Sequence, residues 1–396
     1  MHTRQLSRKK TSVVGWSTIV MVVNMTVMAC RELPSDSARC ESLIPIGDPL
    51  STPDLDSIVA ASWARDSAIF VLDGQADIWL VPINSNGVQR VLRRGSGPKE
   101  IPSPRTVLTA SKQGVVVADW SGAVVTLDSM GRMLDRFALA KPEKQAAVER
   151  RLLWIAADIQ GRLYGYVPME RATAATTNLW RCDPQLTGCV IVLSAPQAML
   201  VGASARPRAD KAGIAVGIPK NSGQFVVRYD GHVAVVAAES LGVYVTTGSK
   251  ALSRTVTLPR VDLPLADSDW ESLVALDSVR AERAIKQGME VAMASGAKLS
   301  AIPLGMRRVV RVADRPTQFP QIHESPAFQN TDGTIWIARG HAPGGAHRVE
   351  VFDLSRRTSC VIVPRGSRLV AVRREFVMAA IRDDDGVERL RRYVRR

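Results

Sequence analysis

Short strand-like segments recur along this chain at a nearly constant interval, and the recurrence constrains the fold more than any other feature of its 396 residues. Ala68–Asp73 is an apolar run closed by a carboxylate. Asp77–Val81, the polar turn Asn84–Gly87 and Val88–Leu92 follow it. Short strands joined by tight polar turns make a meander. The same order returns in Gly114–Asp119, Ala123–Asp128 and Gly131–Phe137. Asp119 follows Asp73 by 46 residues (119 − 73), and Gly131 follows Gly87 by 44 (131 − 87). Fainter copies come later: Leu153–Asp158 with Gly161–Tyr166, Asn178–Cys182 and Cys189–Leu193, then Phe225–Gly231 through Leu258. Asp332–Ala338 with Val349–Asp353 and Thr358–Val363 forms another, and Phe376 to Val394 supplies strands for a last one.

A period in the mid-forties with about four strands per unit is the mark of a propeller blade. A small twisted sheet with two apolar faces cannot bury both alone, so such sheets stand side by side. The expected fold class is therefore all-β. Residues 267–298 break the pattern: Leu273, Leu276, Val279, Ala284 and Ile285 lie among charges at helical spacing. Ser268 with Glu271 three residues on reads as a capping box. The expectation is a helical insertion between blades, with no separate domain.

The N-terminus gives the most specific signal of location. Arg4, Arg8, Lys9 and Lys10 precede a largely apolar stretch, Val13–Ala29. A cationic segment followed by a short apolar one is an export signal. Val27-Met28-Ala29-Cys30 resembles a lipobox, at which the chain is cut and the cysteine acylated. Lipidation at Cys30 would hold the mature chain to a membrane through more than one acyl chain. An ordinary cleaved signal or an uncleaved membrane helix would equally place the remainder outside the cytoplasm. The organisation expected is a lipoprotein-type signal peptide over 1–30, a spacer and closing strand over 31–57, and the repeat domain over 41–396, at the cell envelope.

With Cys30 lipidated, Cys40, Cys182, Cys189 and Cys360 remain, an even number for an oxidising compartment. Cys182 and Cys189 bracket a turn-like segment and suit a local hairpin bridge, which leaves Cys40 with Cys360. Zinc is the rival reading, but the spacing fits no finger and no histidine lies close by in sequence.

The net charge of +14 invites a nucleic-acid reading. Part of the excess sits in the first ten residues, arginine is spread along the whole chain, and no nucleic-acid-binding motif accompanies it. No nucleic-acid partner is expected. The C-terminal cluster Arg389, Arg391, Arg392, Arg395 and Arg396 reads as a solvated tail or edge strand. Its sharper reading is contact with anionic lipid headgroups.

Three stretches carry a family likeness: Arg94–Ile101 with its Gly-x-Gly-Pro-x-Glu turn, Phe319-Pro320 followed by Asp332–Ile337, and Asp385–Tyr393. They resemble the six-bladed β-propellers of bacterial extracytoplasmic proteins, distant relatives of NHL-repeat propellers. The resemblance implies a six-bladed β-propeller with a helical insertion around 267–298. A ring of sheets must also close, and Leu43–Ile46, an apolar stretch in the polar spacer, is expected to supply an outer strand to the sheet of Phe376–Val394.

Propellers bind ligands where loops converge at the mouth of the central channel. Asp73, Asp119 and Asp158 close strands at what read as equivalent blade positions, so they are candidates for a ring of carboxylates around the channel. The plainer reading is that each Asp caps the turn that follows. His232, His323, His341 and His347 read as turn or surface residues. No nucleophile elbow and no phosphate-binding loop occurs, so no catalytic residue and no cofactor are assigned. The function expected is a membrane-anchored scaffold for an unknown protein, small-molecule or glycan ligand. The alternative is a metal-dependent, lactonase-like hydrolase or lyase with Ca or Zn in the channel.

Overall fold

The computed structural model describes residues 40–50, 55, 57–65, 67–84, 87–95, 97, 100–101, 104–110, 114–119, 124–137, 152–167, 176–186, 188–200, 214–216, 223–246, 251–275, 278–279, 282, 310–312, 315, 317–322, 327–340, 346–354, 358–383 and 387–396. The signal segment, Cys30, His323 and His341 lie outside them.

The order of elements is a series of antiparallel meanders. β1 (Glu41–Leu50) comes first. β2 (Ile58–Arg65), β3 (Ala68–Asp73), β4 (Ile78–Pro82) and β5 (Gln89–Arg94) make one sheet, extended by β6 (Glu100–Ile101). β7 (Pro104–Ala110), β8 (Gly114–Asp119), β9 (Val124–Asp128) and β10 (Met133–Phe137) make the next. β11 (Leu153–Ala157), β12 (Leu163–Tyr166), β13 (Thr176–Cys182) and β14 (Cys189–Pro196) follow. After a short helix, Gln197–Leu200, and β15 (Ile214–Val216) come β16 (Gln224–Val227), β17 (Val233–Val236), β18 (Gly242–Thr246) and β19 (Leu252–Thr257). β20 (Val310–Val312) pairs in parallel with β15. The last strands are β21 (Phe328–Gln329), β22 (Ile335–Ala338), β23 (His347–Phe352), β24 (Thr358–Val363), β25 (Ser367–Arg373), β26 (Phe376–Arg382) and β27 (Glu388–Arg395). They form one eight-stranded sheet, because β1 lies between β24 and β27 and joins two meanders.

Apolar side chains are buried on both faces of these strands. Every residue of Ala68–Asp73, Gly114–Asp119 and Ile335–Ala338 is buried. The reason is that each meander shares a core with the next. Phe70 and Leu72 pack with Val115 and Val117, Val116 with Trp154 and Leu163, and Tyr164 and Leu179 with Phe225 and Val235. Val226 and Val236 pack with Ile337 and Phe352, and Trp336 and Val351 with Val377 and Tyr393. Met378 and Leu390 then meet Trp63 and Ile69, so the last meander packs on the first. First strands lie next to one another, β25 against β2, β2 against β7 and β7 against β11. This is a β-propeller. Fully burying one such side chain contributes roughly 1.5–3 kcal/mol.

One hairpin turn recurs between strands. At Asp73, Asp128, Asp158, Arg228 and Asn330 the first residue's amide donates to the carbonyl four residues on. Its own carbonyl accepts from the amide three residues on. The residue at that third step takes a left-handed conformation, as Gly161 does (φ 77°). Such turns match the twist of a hairpin. Ala76 occupies the same place in the first meander at φ 66°, where a Cβ is unfavourable.

The ring is closed by β1. Leu43–Ile46 pair antiparallel with Arg395–Arg392, while Glu41 and Ser42 pair in parallel with Val361 and Ile362. Disulfides join Cys40 to Cys360 and Cys182 to Cys189. Arg395 ion-pairs with Glu41 and donates to Ser359 Oγ at 2.8 Å. Arg389, Arg391, Arg392 and Arg395 are therefore neither tail nor edge, since they lie on β27, which is paired on both sides; Arg396 follows it as an exposed last residue. Residues 267–275 are helical, but the Ala266 carbonyl already accepts from the Trp270 amide, so Ser268 lies inside the helix instead of capping it. The remainder of 267–298 beyond residue 282 lies outside the described residues. Among the described residues no helix is long and apolar enough to cross a membrane.

Candidate functional site

Asp73, Asp119 and Asp158 are all buried, but they do not share one end of the ring. Asp73 and Asp119 close the second strands of their sheets, whereas Asp158 follows the first strand of its own. Successive antiparallel strands run in opposite directions, so Asp158 faces the other end. What each does is set by its own turn. Asp73 Oδ1 accepts from the amides of Gln75 and Asp77, and Oδ2 accepts from the indole of Trp79 at 2.7 Å. Burial still pushes its carboxyl above the usual range, against these bonds. Asp158 Oδ1 accepts from the amides of Gln160 and Arg162. Its Oδ2 accepts from Arg162 Nε at 2.6 Å and from the Tyr164 hydroxyl at 2.8 Å. Burial, then the bond to Asp158, raises the Tyr164 phenol to about 12. The amide of Ile159 donates to the Tyr229 carbonyl, so this turn is locked to the equivalent turn of the next sheet.

His232 sits in an exposed turn with Asp230, its Nδ1 3.0 Å from the carboxylate. His347 opens β23 and is buried. Among the described residues no group of three or more His, Cys, Asp or Glu is placed to hold a metal ion.

A charged constellation that the sequence reading missed lies between the sheet of β16–β19 and that of β21–β24. Arg348, Glu350 and Phe352 alternate along β23 and therefore share a face. Phe352 packs with Val226 and Leu258, which places that face toward the preceding sheet. Arg339, just beyond β22, is fully buried; its Nη2 donates to the Pro259 carbonyl at 2.7 Å and to Gln321 Oε1 at 2.9 Å. Gln321 in turn accepts from the Val261 amide and donates to the Val261 carbonyl. Glu350, 1% exposed, receives Arg348 Nε on Oε1 at 2.7 Å, and Arg339 Nη1 lies 3.5 Å from the same oxygen. Burial, partly offset by Glu350 and reinforced by Arg348, brings Arg339 down to about 10. Two guanidinium groups thus share one carboxylate away from water. Isolated charges are costly there, and compensation requires opposite charge in good geometry. Arg339 directly follows the second strand of a packed sheet and Arg348 stands on the third, which holds them in place.

No family model matches the chain, and no curated protein does. Solved structures resemble it at low identity. A streptogramin B lyase superposes with a TM-score of 0.40 and 8% identity, covering 89% of this chain and 98% of that one. The calcium-binding protein regucalcin from Agrobacterium tumefaciens gives 0.40 and 8%, covering 89% and 94%. The WD40 repeats of RRP9 give 0.44 and 11%, covering 89% and 100%.

Proposed function

We propose that this chain is a six-bladed β-propeller of the cell envelope, tethered to a membrane through Cys30, that serves as a scaffold for a ligand or a partner protein. Six blades result when the eight-stranded sheet is read as two, joined by β1. The observation that carries the scaffold reading is the state of the buried carboxylates. Both oxygens of Asp73 and of Asp158 accept hydrogen bonds from their own turns and neighbouring side chains. Carboxylates engaged in this way stabilise the frame and have little freedom to take up a cation or move a proton. The two disulfides support an oxidising compartment.

The test uses the full chain with its own leader. Cys30→Ala should move the protein from the membrane fraction to the soluble one. Thermal melting of the detergent-purified chain should then respond saturably to envelope glycans or peptides. A chelator-reversible rise with Ca²⁺ or Zn²⁺ in place of that response would favour a metal-dependent hydrolase or lyase.

A further inference from the structure

We propose that one end of the ring, the end at which Asp158 follows its strand, rests on the surface of a phospholipid bilayer. The inference rests on the lipid anchor at Cys30 in the reading above, and it names the face that the anchor holds to the membrane. Hydrogen bonds between turns define that end. The Ile159 amide donates to the Tyr229 carbonyl, Gln329 Nε2 to the Val227 carbonyl and Asn330 Nδ2 to the Arg374 carbonyl. The turns after β11, β16, β21 and β25 therefore lie together. In an antiparallel meander the third strand runs as the first does, so the turns Asp128–Arg132 and Asp183–Gly188 stand at this end too.

Exposed apolar side chains gather there. Met130 and Ile159 lie in these turns, Leu134 lies near the start of β10, and Val190 and Ile191 lie near the start of β14; all five are 40–50% exposed. Their two sheets are neighbours and share a core, on which Phe137 of β10 and Cys189 of β14 both pack. Val59, 51% exposed near the start of β2, is at the opposite end. Exposed apolar side chains collected on one surface mark a contact with protein or membrane. The start of β1 favours the membrane. β1 runs antiparallel to β27, the third strand of its meander, so it begins at the same end, where the Arg396 amide donates to the Ser42 carbonyl. Cys40 stands just before it, fixed to Cys360. Cys30 precedes Cys40 by ten residues (40 − 30), a reach of at most about 35 Å. A lipid on Cys30 thus draws this end toward the bilayer, and apolar side chains await it there. Arg132, Arg374 and Arg396 are exposed at this end, and so are Asp332 and Glu375. Both signs of charge are present, so apolar contact at the headgroup boundary sets the attachment, and a neutral bilayer suffices. The opposite end, where Asp73 and Asp119 close their strands, then faces away from the membrane.

The experiment is hydroxyl-radical labelling of the full chain on phosphatidylcholine vesicles, read residue by residue by mass spectrometry. The full-length Cys30→Ala chain without vesicles is the free reference. Intact mass and flotation report separately whether Cys30 is acylated and whether the chain is vesicle-bound. Met130, Leu134, Ile159, Val190 and Ile191 should each be labelled about threefold less on vesicles than in the free chain, with Val59 labelled equally in both. Leu134→Glu/Ile191→Glu alters exposed side chains only; it should melt as wild type does and return Met130 to the free level. A vesicle-bound chain whose five side chains are labelled as in the free chain would overturn the proposal. Protection of Val59 in their place would do the same. Protection that needs no lipid and grows with protein concentration would assign the face to a second copy and also overturn it. A chain without the Cys30 lipid would refute the anchor alone: excess vesicles should still protect the five side chains, and if they do not, the docking face is refuted as well.

Discussion

Removing the Cys40–Cys360 disulfide should destabilise the protein far more than removing Cys182–Cys189. The two bonds close loops of very different length, 320 and 7 residues. In the chain-entropy account a crosslink restricts the unfolded chain by an amount that grows with the logarithm of loop length. That gives about 5.7 kcal/mol for the long loop and about 2.3 kcal/mol for the short one, a difference of about 3.4 kcal/mol. The short loop lies inside the long one, but it shortens it negligibly. The long bond also holds Cys40 against β24, immediately before Glu41 begins its pairing with Val361. Its loss therefore frees the strand that joins the two ends of the ring. The assay is equilibrium guanidinium unfolding of Cys40→Ala/Cys360→Ala and Cys182→Ala/Cys189→Ala under oxidising conditions, with the slope checked for constancy. Alanine avoids a buried hydroxyl at Cys182 and Cys360, which are 0% and 6% exposed. An equal cost for both pairs, or a larger one for the hairpin pair, would refute the reasoning.

Further expectations are more local. Tyr164 is fully buried with its phenol raised to about 12, against about 10 in an unfolded chain. Neutral Tyr164 favours the folded state, so its contribution is complete below pH 10 and is lost as pH rises from about 10 to about 12, by roughly 2–3 kcal/mol. Stability measured across that range should fall less steeply in Tyr164→Phe. Ala76→Gly should stabilise the fold by about 0.5–1 kcal/mol in thermal unfolding, because glycine carries no penalty at φ 66°. Trp336→Ala should cost about 3–5 kcal/mol in denaturant, since the side chain is fully buried in the core that includes Val349 and Tyr393.

Much of the ring could be read from the residues because its physics is repetitive. A strand covered on both faces shows a continuous apolar run, as in Ala68–Leu72 and Gly114–Ala118, and a left-handed turn position favours glycine, as at Gly131 and Gly161. Leu43–Ile46 stood out as an apolar stretch in a polar spacer and pairs with β27. Other features are not local. A carboxylate that closes a strand does not reveal which strand of its sheet it closes, and so Asp158 lies at the other end from Asp73. The buried arginines escaped notice because Arg348-Val349-Glu350-Val351 alternates polar with apolar. Alternation of that kind ordinarily assigns the polar residues to solvent. Here a neighbouring sheet covers that face as well, and all six residues of β23 are buried.

β1 seals the ring against the last sheets. A peptide map of the purified protein, prepared and digested without reductant, tests it directly. The account predicts that the peptide containing Cys40 is joined to the one containing Cys360, and that Cys182 is joined to Cys189. Cys40 joined to Cys182 or Cys189 instead, with Cys360 elsewhere, would contradict it.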